Sequence, residues 1–425
     1  MADHASSNEP IEVRVERIGA AGDGIARWRG GPVYLPFTAA GDRVRAVLGR
    51  RRGGGHEGRV VELLTAGEGR RDPPCRHFAR CGGCALQHLG ADAYRAAKLE
   101  GLRAALERIG IDPGLVQPLR AVPPARRRAR LGLFRPRDPR QPARAGFRER
   151  FRHDLVDLRE CPVLESPLFA LAGALRDTVP DLLAPGGAAE ATLTRTDSGT
   201  DLLVAAGERP GLEALEALAS LAAARDLARV VWRSQSDERL VVERRPVRIM
   251  RSGVAVPFPP GAFLQASETG EAILVEEVLA GIGRRRPVLD LYAGLGSFAF
   301  ALVGEASVHA VEGDERAVAA VADAARSVPH VTVERRDLAR DPIPPQTLAS
   351  FAAAVFDPPR GGAGPQAAAL AASILDTVVA VSCNPATLAR DAAHLVAGGF
   401  RLERVVPIDQ FVWTPHLELV GVFRR

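Results

Sequence analysis

Cysteine, lysine and long apolar runs are all scarce in this 425-residue chain. Five cysteines are too few for a disulfide scaffold, and 46% apolar with 25% charged residues excludes wholesale disorder and collagen-like repeats. No apolar run reaches the roughly 18 to 20 residues of a membrane-spanning helix. The Ala-rich stretch from Ala367 comes nearest and is broken by Ser373 and Asp376. Met1 to Pro10 is polar and acidic and lacks the apolar core of a signal peptide, so a cytoplasmic location without a membrane partner is expected. Internal repeats are also missing. What remains is a globular chain long enough, at about 150 residues per domain, for two to three domains.

Lys98 is the only lysine, so nearly all the positive charge is arginine, whose planar fork suits phosphate and base stacking. The net charge of +5 conceals an asymmetry: residues 1–150 carry 29 basic and 16 acidic side chains, and residues 151–425 carry 27 and 35. The clustering, rather than the arginine count itself, points to a polyanionic partner for the first part. Arg50, Arg51 and Arg52 before Gly53–Gly55 read as an exposed loop of that basic surface. Arg126–Arg128 and Arg135–Arg150 continue it.

Three regions follow from periodicity. Ile11, Val13 and Val15 alternate with Glu12, Arg14 and Glu16, and short runs at Val33–Phe37, Arg43–Leu48 and Gly58–Leu64 are separated by Gly-rich turns, as in a small β-barrel. A helix is expected over Ala91–Ile109. Between Arg120 and Val254, segments at Arg128–Phe134, Ala191–Arg195, Asp201–Ala206 and Val230–Glu238, with one helix near Gly211–Arg225, indicate an α+β domain. From Ala272 buried strands alternate with helices: Pro287–Tyr292, Val308–Val311, Val331–Glu334, Phe351–Phe356, Thr377–Val381, Leu402–Val406 and Leu417–Phe423. That pattern is a doubly wound, Rossmann-like α/β domain, whose ligands gather at the C-terminal ends of the strands.

The chemistry-bearing motifs lie at those ends. Asp290-Leu291-Tyr292-Ala293-Gly294-Leu295-Gly296-Ser297 runs from a buried strand through a Gly-x-Gly turn into a helix, where backbone approaches a nucleotide-like ligand. The third glycine of the dinucleotide fingerprint is missing. Glu312, at the end of the next strand, can accept hydrogen bonds from ribose hydroxyls, and Asp337 ends the third strand near the same ligand. Asp357-Pro358-Pro359-Arg360 holds a carboxylate rigidly at the fourth strand end. Methylases of base amino groups follow Asp/Asn-Pro-Pro with a stacking aromatic, and Arg360 in that place argues against them. Ser382-Cys383-Asn384-Pro385 closes the fifth strand with a candidate thiolate nucleophile, and Glu418 in His416-Leu417-Glu418 can reach the same cleft.

A methyl-donor pocket, a thiolate and a carboxylate together suit C5 of uracil. Thiolate addition at C6 makes C5 nucleophilic, and a base then removes the C5 proton so that the thiol leaves. The base must also leave its stack and enter a pocket, which suits a separate basic surface for the remaining RNA. Cys75, Cys81, Cys84 and the distant Cys161 form a four-thiol set for zinc or an iron–sulfur cluster. The spacing lacks the tight single-loop pattern of radical enzymes.

In combination these motifs resemble the bacterial S-adenosylmethionine-dependent RNA (uracil-5-)-methyltransferases, closest to the branch that carries a TRAM domain and an iron–sulfur cluster and acts on 23S ribosomal RNA. The likeness covers nearly the whole chain. It adds Leu86-Gln87-His88, Gly146-Phe147-Arg148 through His153 and Asp157 to Cys161-Pro162-Val163-Leu164, and Phe263-Leu264-Gln265. The resemblance implies a TRAM barrel over residues 9–64, RNA-binding and OB-like; a central α+β domain with the cluster loop over 65–255; and a Rossmann-like class I methyltransferase domain over 256–425. It implies that Gln265, Tyr292, Ser297, Glu312, Asp337 and Asp357 line the S-adenosylmethionine site, with Cys383 as nucleophile and Glu418 as general base. It further implies a four-iron four-sulfur (4Fe-4S) cluster on Cys75, Cys81, Cys84 and Cys161. Ser297 and Asp337 stand where asparagine is frequent in the family. The expected partner is 23S rRNA rather than DNA, with a monomer as the default. The rival readings are the tRNA T-loop uridine C5 methyltransferase of the same superfamily and a non-catalytic RNA-binding assembly factor.

Overall fold

The computed structural model describes residues 9–152, 154–304 and 307–425; the N-terminal residues 1–8 and His153, both read above, lie outside these. Strands Ile11–Ile18, Gly24–Trp28, Gly31–Leu35, Arg43–Arg52 and Gly55–Thr65 close into a barrel. The alternation of the first strand works as expected: Ile11, Val13 and Val15 face the core with Ala26, Val33, Leu35, Val44 and Ala46, while Glu12, Arg14 and Glu16 face water. Arg50, Arg51 and Arg52 are not a loop but the exposed end of strand Arg43–Arg52, paired to the strand that starts at Gly55, and two of them are engaged, Arg50 with Glu57 at 2.7 Å and Arg52 with buried Asp23 at 2.9 Å. Asp23 also takes Arg150 at 2.9 Å, which fastens the barrel to the next domain.

The central sheet has seven strands in the order Glu238–Glu243, Arg229–Arg233, Gly199–Ala206, Ala188–Thr196, Arg128–Phe134, Arg144–Arg148, Leu155–Asp157. Helices Ser166–Leu182 and Leu212–Ala224 pack on it through Leu168, Leu171, Leu175, Leu218 and Ala222. The sequence reading differs here twice. The run Val230–Glu238 is two antiparallel strands, because Ser234–Asp237 forms a turn in which Ser234 N–H donates to the Asp237 carbonyl at 2.8 Å. The long helix Ser166–Leu182 is additional to the one expected.

The C-terminal sheet has eight strands, ordered Val331–Arg335, Val308–Glu312, Val288–Leu291, Ala353–Phe356, Thr377–Ser382, Glu418–Arg424, Arg401–Asp409, Arg120–Ala121. Glu418–Arg424 runs antiparallel to both neighbours. The rest of the sheet is parallel, as buried apolar strands linked by helices require. Its last member comes from the span assigned by resemblance to the central domain. So does helix Ala91–Glu107, whose Leu99, Leu102 and Leu106 share a core with Leu388 and Leu395 of helix Pro385–Ala397. The hairpin Arg248–Arg251/Val254–Pro257 likewise packs Ile249 and Val256 against Val321 and Ala324 of helix Glu315–Ala325. Packing thus places 91–121 and 248–257 with the C-terminal core, since their apolar faces find cover there. No helix among the described residues is long and apolar enough to cross a membrane.

Candidate active site

Strand order reverses between Val288–Leu291 and Ala353–Phe356, and the crevice beyond their C-terminal ends is where this architecture binds ligands. Tyr292, Gly294 and Gly296 leave the first of these strands with φ of 60°, 54° and 77°. Glycine is required at 296, where a Cβ would stand 2.7 Å from the Phe300 ring, while at 294 the backbone faces open space. Glu312 secures the turn: Oε2 accepts the Gly294 N–H at 2.9 Å, and Oε1 accepts those of Gly313 at 2.7 Å and Asp314 at 2.8 Å. A carboxylate fixed in this way at a strand end retains acceptor capacity for hydroxyls. Asp337 is exposed at the rim, its carboxylate 3.6 Å from Arg340. Burial, and then the charges of Asp391, Asp337 and Glu312, push the Tyr292 phenol up to about 12. Asp290 lies beneath, fully buried, its carboxyl held well above the usual range by burial and then by Asp357 and Glu312.

Ser297 is tied down by a residue the motifs did not reveal. Its hydroxyl donates to Glu271 Oε1, and Oε2 of the same carboxylate takes Arg127 and, at 2.8 Å, Arg251. All three charged groups are buried, at 6 to 7% exposure. Burial opposes the Glu271 charge, but Arg251, Arg127 and Ser297 outweigh it and hold the carboxyl below its ordinary range. Arg127 also donates from Nε to the Gln265 carbonyl at 3.1 Å. A signal was present in the sequence: Glu271 sits on the buried stripe Leu274, Val278, Ile282 of helix Glu268–Ile282, where an acid needs a partner.

A second buried chain crosses the floor. Gln265 Nε2 donates to Asp357 Oδ2 at 3.2 Å, Gln410 Nε2 donates to Gln265 Oε1 at 2.8 Å, and the same Nε2 donates to Glu418 Oε2 at 2.7 Å. Glu418 is buried at 2% exposure, not displayed on an open strand edge. Burial, then the Asp357 charge, raises its carboxyl, while Gln410 and Arg360 oppose the rise. Asp357 is raised by burial and by Glu271, with Gln265 opposing. Ser382 pairs with Leu419, so Cys383 and Glu418, the next residues at that end of the ladder, lie side by side. The half-buried Cys383 thiol is pushed up by burial, Glu418 and Asp357 and drawn down by Arg360. Gln410 was not singled out in the sequence, although a polar Asp409-Gln410 pair ending the apolar run Val405–Ile408 marks it.

The other four cysteines line one cavity of ≈ 460 Å³ together with His77, Phe78 and Arg126, and it opens towards Arg360 and His416. Burial raises the thiols of Cys75 and Cys81 and pushes that of Cys84 up to about 12. Among the described residues no three such side chains converge closely enough to hold a single metal ion. One wall of the cavity, the loop Phe411–His416, is pinned by the sole lysine: Lys98 Nζ pairs with Asp409 at 2.6 Å and donates to the Phe411 carbonyl at 3.1 Å and to that of His416.

A family model described as tRNA (Uracil-5-)-methyltransferase matches residues 343–425. Over 424 residues the chain is 41% identical to an uncharacterized RNA methyltransferase of Brucella suis biovar 1, with 99% of each covered. It is 36% identical over 436 residues to the 23S rRNA (uracil(1939)-C(5))-methyltransferase RlmD of Halomonas elongata, covering 97% of this chain and 89% of that protein. Among solved structures, that of Pyrococcus abyssi tRNA (uracil-54, C5)-methyltransferase in complex with S-adenosyl-L-homocysteine matches with a TM-score of 0.71 at 23% identity, over 97% of this chain and all of that one, which is a likeness of fold. Identity sustained at this level from the barrel to the last strand leaves one assignment: the chain belongs to the S-adenosylmethionine-dependent RNA (uracil-5-)-methyltransferases.

Proposed function

We propose that the protein methylates C5 of a uridine in 23S rRNA, with Cys383 as nucleophile and Glu418 as base. The observation that carries this reading is the strand register that sets Cys383 beside Glu418 at the sheet end, with Asp357 on the same floor. Bound S-adenosylmethionine supplies an electrophilic methyl group. The Gly294–Gly296 turn and Glu312 fit its nucleoside, since the backbone at Gly294 faces open space and the carboxylate keeps a free lone pair. Gln265, Tyr292, Ser297, Asp337 and Asp357 complete that site. Cys383 Sγ forms a bond to C6, the displaced electron pair of the C5–C6 double bond makes C5 the nucleophile that bonds to the methyl carbon, and that carbon's bond to sulfur breaks so that S-adenosylhomocysteine leaves. Glu418 then takes the C5 proton, the pair left behind restores the double bond, and the C6–S bond breaks with return of the thiolate. The substrate class follows the 36%-identical relative named for 23S rRNA.

Trapping on 5-fluorouridine-substituted RNA tests the reading, because fluorine at C5 cannot leave as a proton. With S-adenosylmethionine present, a denaturation-resistant adduct is expected on 23S rRNA fragments and not on tRNA. An adduct on tRNA alone transfers the reading to the T-loop enzyme. Cofactor binding with no adduct on either RNA returns it to an RNA-binding factor or to amino methylation.

We also infer a 4Fe-4S cluster on Cys75, Cys81, Cys84 and Cys161. The four thiols line a shared cavity, and Arg126 lies beside Cys84 and Cys161, where its charge would favour their ionised form as cluster ligands. No step of the reaction above passes through it. Anaerobically purified protein is expected to carry about four irons per chain, with visible absorbance that Cys84→Ala removes. Protein that carries zinc and no iron would refute the assignment.

A further inference from the structure

Gln410 belongs to no motif, yet among the described residues it is the side chain that hydrogen-bonds both Gln265, at the Asp357 end of the buried floor, and Glu418. With Gln265 donating to Asp357 and Glu418 ionised, its orientation is fixed. An amide oxygen in place of Nε2 would face two acceptors, Gln265 Oε1 and Glu418 Oε2, so the nitrogen must stand there and spend both hydrogens. Oε1 is consequently buried without a partner. An orphaned buried carbonyl is costly, and its retention indicates that the two donated bonds matter to the site. The seat is shaped for this side chain: a Cβ on Gly270 would lie 2.7 Å from Gln410 Cβ and 2.9 Å from its Oε1. Glu418 is thus held by Oε2, and its Oε1 has no hydrogen-bond partner among the described residues.

We propose that Gln410 is a positioning residue for proton removal: by anchoring Glu418 Oε2 it presents Oε1 to the C5 proton, so that without it the reaction slows after methyl transfer, with the RNA held longer on Cys383. The step affected is the elimination alone, in which the C5–H bond breaks, the proton passes to Glu418 Oε1, C5=C6 re-forms and Sγ departs. Asp357, Arg360, Cys383 and Gln410 are the groups acting on the Glu418 carboxyl, and of these Gln410 and Arg360 favour its ionised form. Removal of Gln410 therefore raises the pH at which product release reaches half its maximum.

This inference rests on the proposed roles of Cys383 and Glu418, and the test separates the two. Full-length protein is given S-adenosylmethionine with a labelled methyl group and unmodified 23S rRNA fragments and tRNA, and methyl-labelled protein–RNA adduct is followed on denaturing gels. Gln410→Leu is expected to release product roughly 10- to 100-fold more slowly than wild type, with adduct accumulating and the release profile displaced to higher pH. Gly270→Ala, which keeps the amide but crowds its seat, shifts both in the same direction and serves if the first variant does not fold. Glu418→Gln is the reference and accumulates adduct fully. Wild-type release by Gln410→Leu or, should it not fold, by Gly270→Ala, while Glu418→Gln accumulates adduct, overturns the inference alone. Absence of adduct in Glu418→Gln overturns the underlying reading, and this one with it.

Discussion

Cys383→Ala is expected to lower the methylation rate by about 10⁴-fold or more, with affinity for S-adenosylmethionine unchanged. The resting thiol is poorly disposed to ionise, since burial and the carboxyls of Glu418 and Asp357 raise it against the opposing pull of Arg360 and of a backbone hydrogen bond at Cys383 itself. Adduct formation on 5-fluorouridine RNA should therefore climb with pH across the neutral range as the thiolate fraction grows. Two variants move this limb in opposite senses. Arg360→Met removes the favourable cation and displaces it to higher pH; Glu418→Gln removes the neighbouring carboxylate and displaces it to lower pH, and on the fluorinated RNA the adduct persists in every variant. A single-turnover pH profile of adduct formation decides the matter, and a limb that stays fixed in both variants assigns the titration to another group.

The second large effect is on stability. Glu271→Gln is expected to cost about 3–5 kcal/mol, because one buried carboxylate neutralises two buried guanidiniums and its loss strands both. Solvent cannot repair the deficit at 6 to 7% exposure. Thermal melting monitors it as a drop of several degrees. Arg251→Met, which leaves Arg127 to pair with Glu271, should be milder. Equal melting of Glu271→Gln and wild type would show that the network contributes nothing net. Because Ser297 donates to the same carboxylate and Arg127 to the Gln265 carbonyl, the change should also weaken cofactor binding in whatever protein stays folded.

Much of this architecture is visible in the amino-acid order. The barrel alternation, the strand Arg128–Phe134 and the buried runs ending at Leu291, Phe356 and Ser382 depend on local periodicity, which a sequence displays directly. Helix Ser166–Leu182 was obscured by Gly173 and Pro180 within it, residues that ordinarily mark breaks. Packing of helix Ala91–Glu107 under the C-terminal sheet is a long-range event with no local signature. The same holds in the site. Cys383, Glu312 and Asp357 stand at strand ends where motifs announce them. Glu271 and Gln410 act through partners 144 and 145 residues away in Arg127 and Gln265, and nothing in their immediate neighbours names those partners.

The short strand Arg120–Ala121 has its own consequence during synthesis. Its parallel partner, Ile408–Asp409, leaves the ribosome about 290 residues later. Until then helix Ala91–Glu107 must hold Leu99, Leu102 and Leu106 without the Leu388 and Leu395 that cover them. The N-terminal barrel, whose pairings all lie within residues 11–65, can close early, whereas the sheet edge and this helix wait for nearly the whole chain. Closing so long a loop costs little more free energy than closing a moderate one, because the entropy grows only with the logarithm of length. The penalty falls on time instead: an apolar helix face stays open to chaperones, and to other nascent chains, until the final strands arrive.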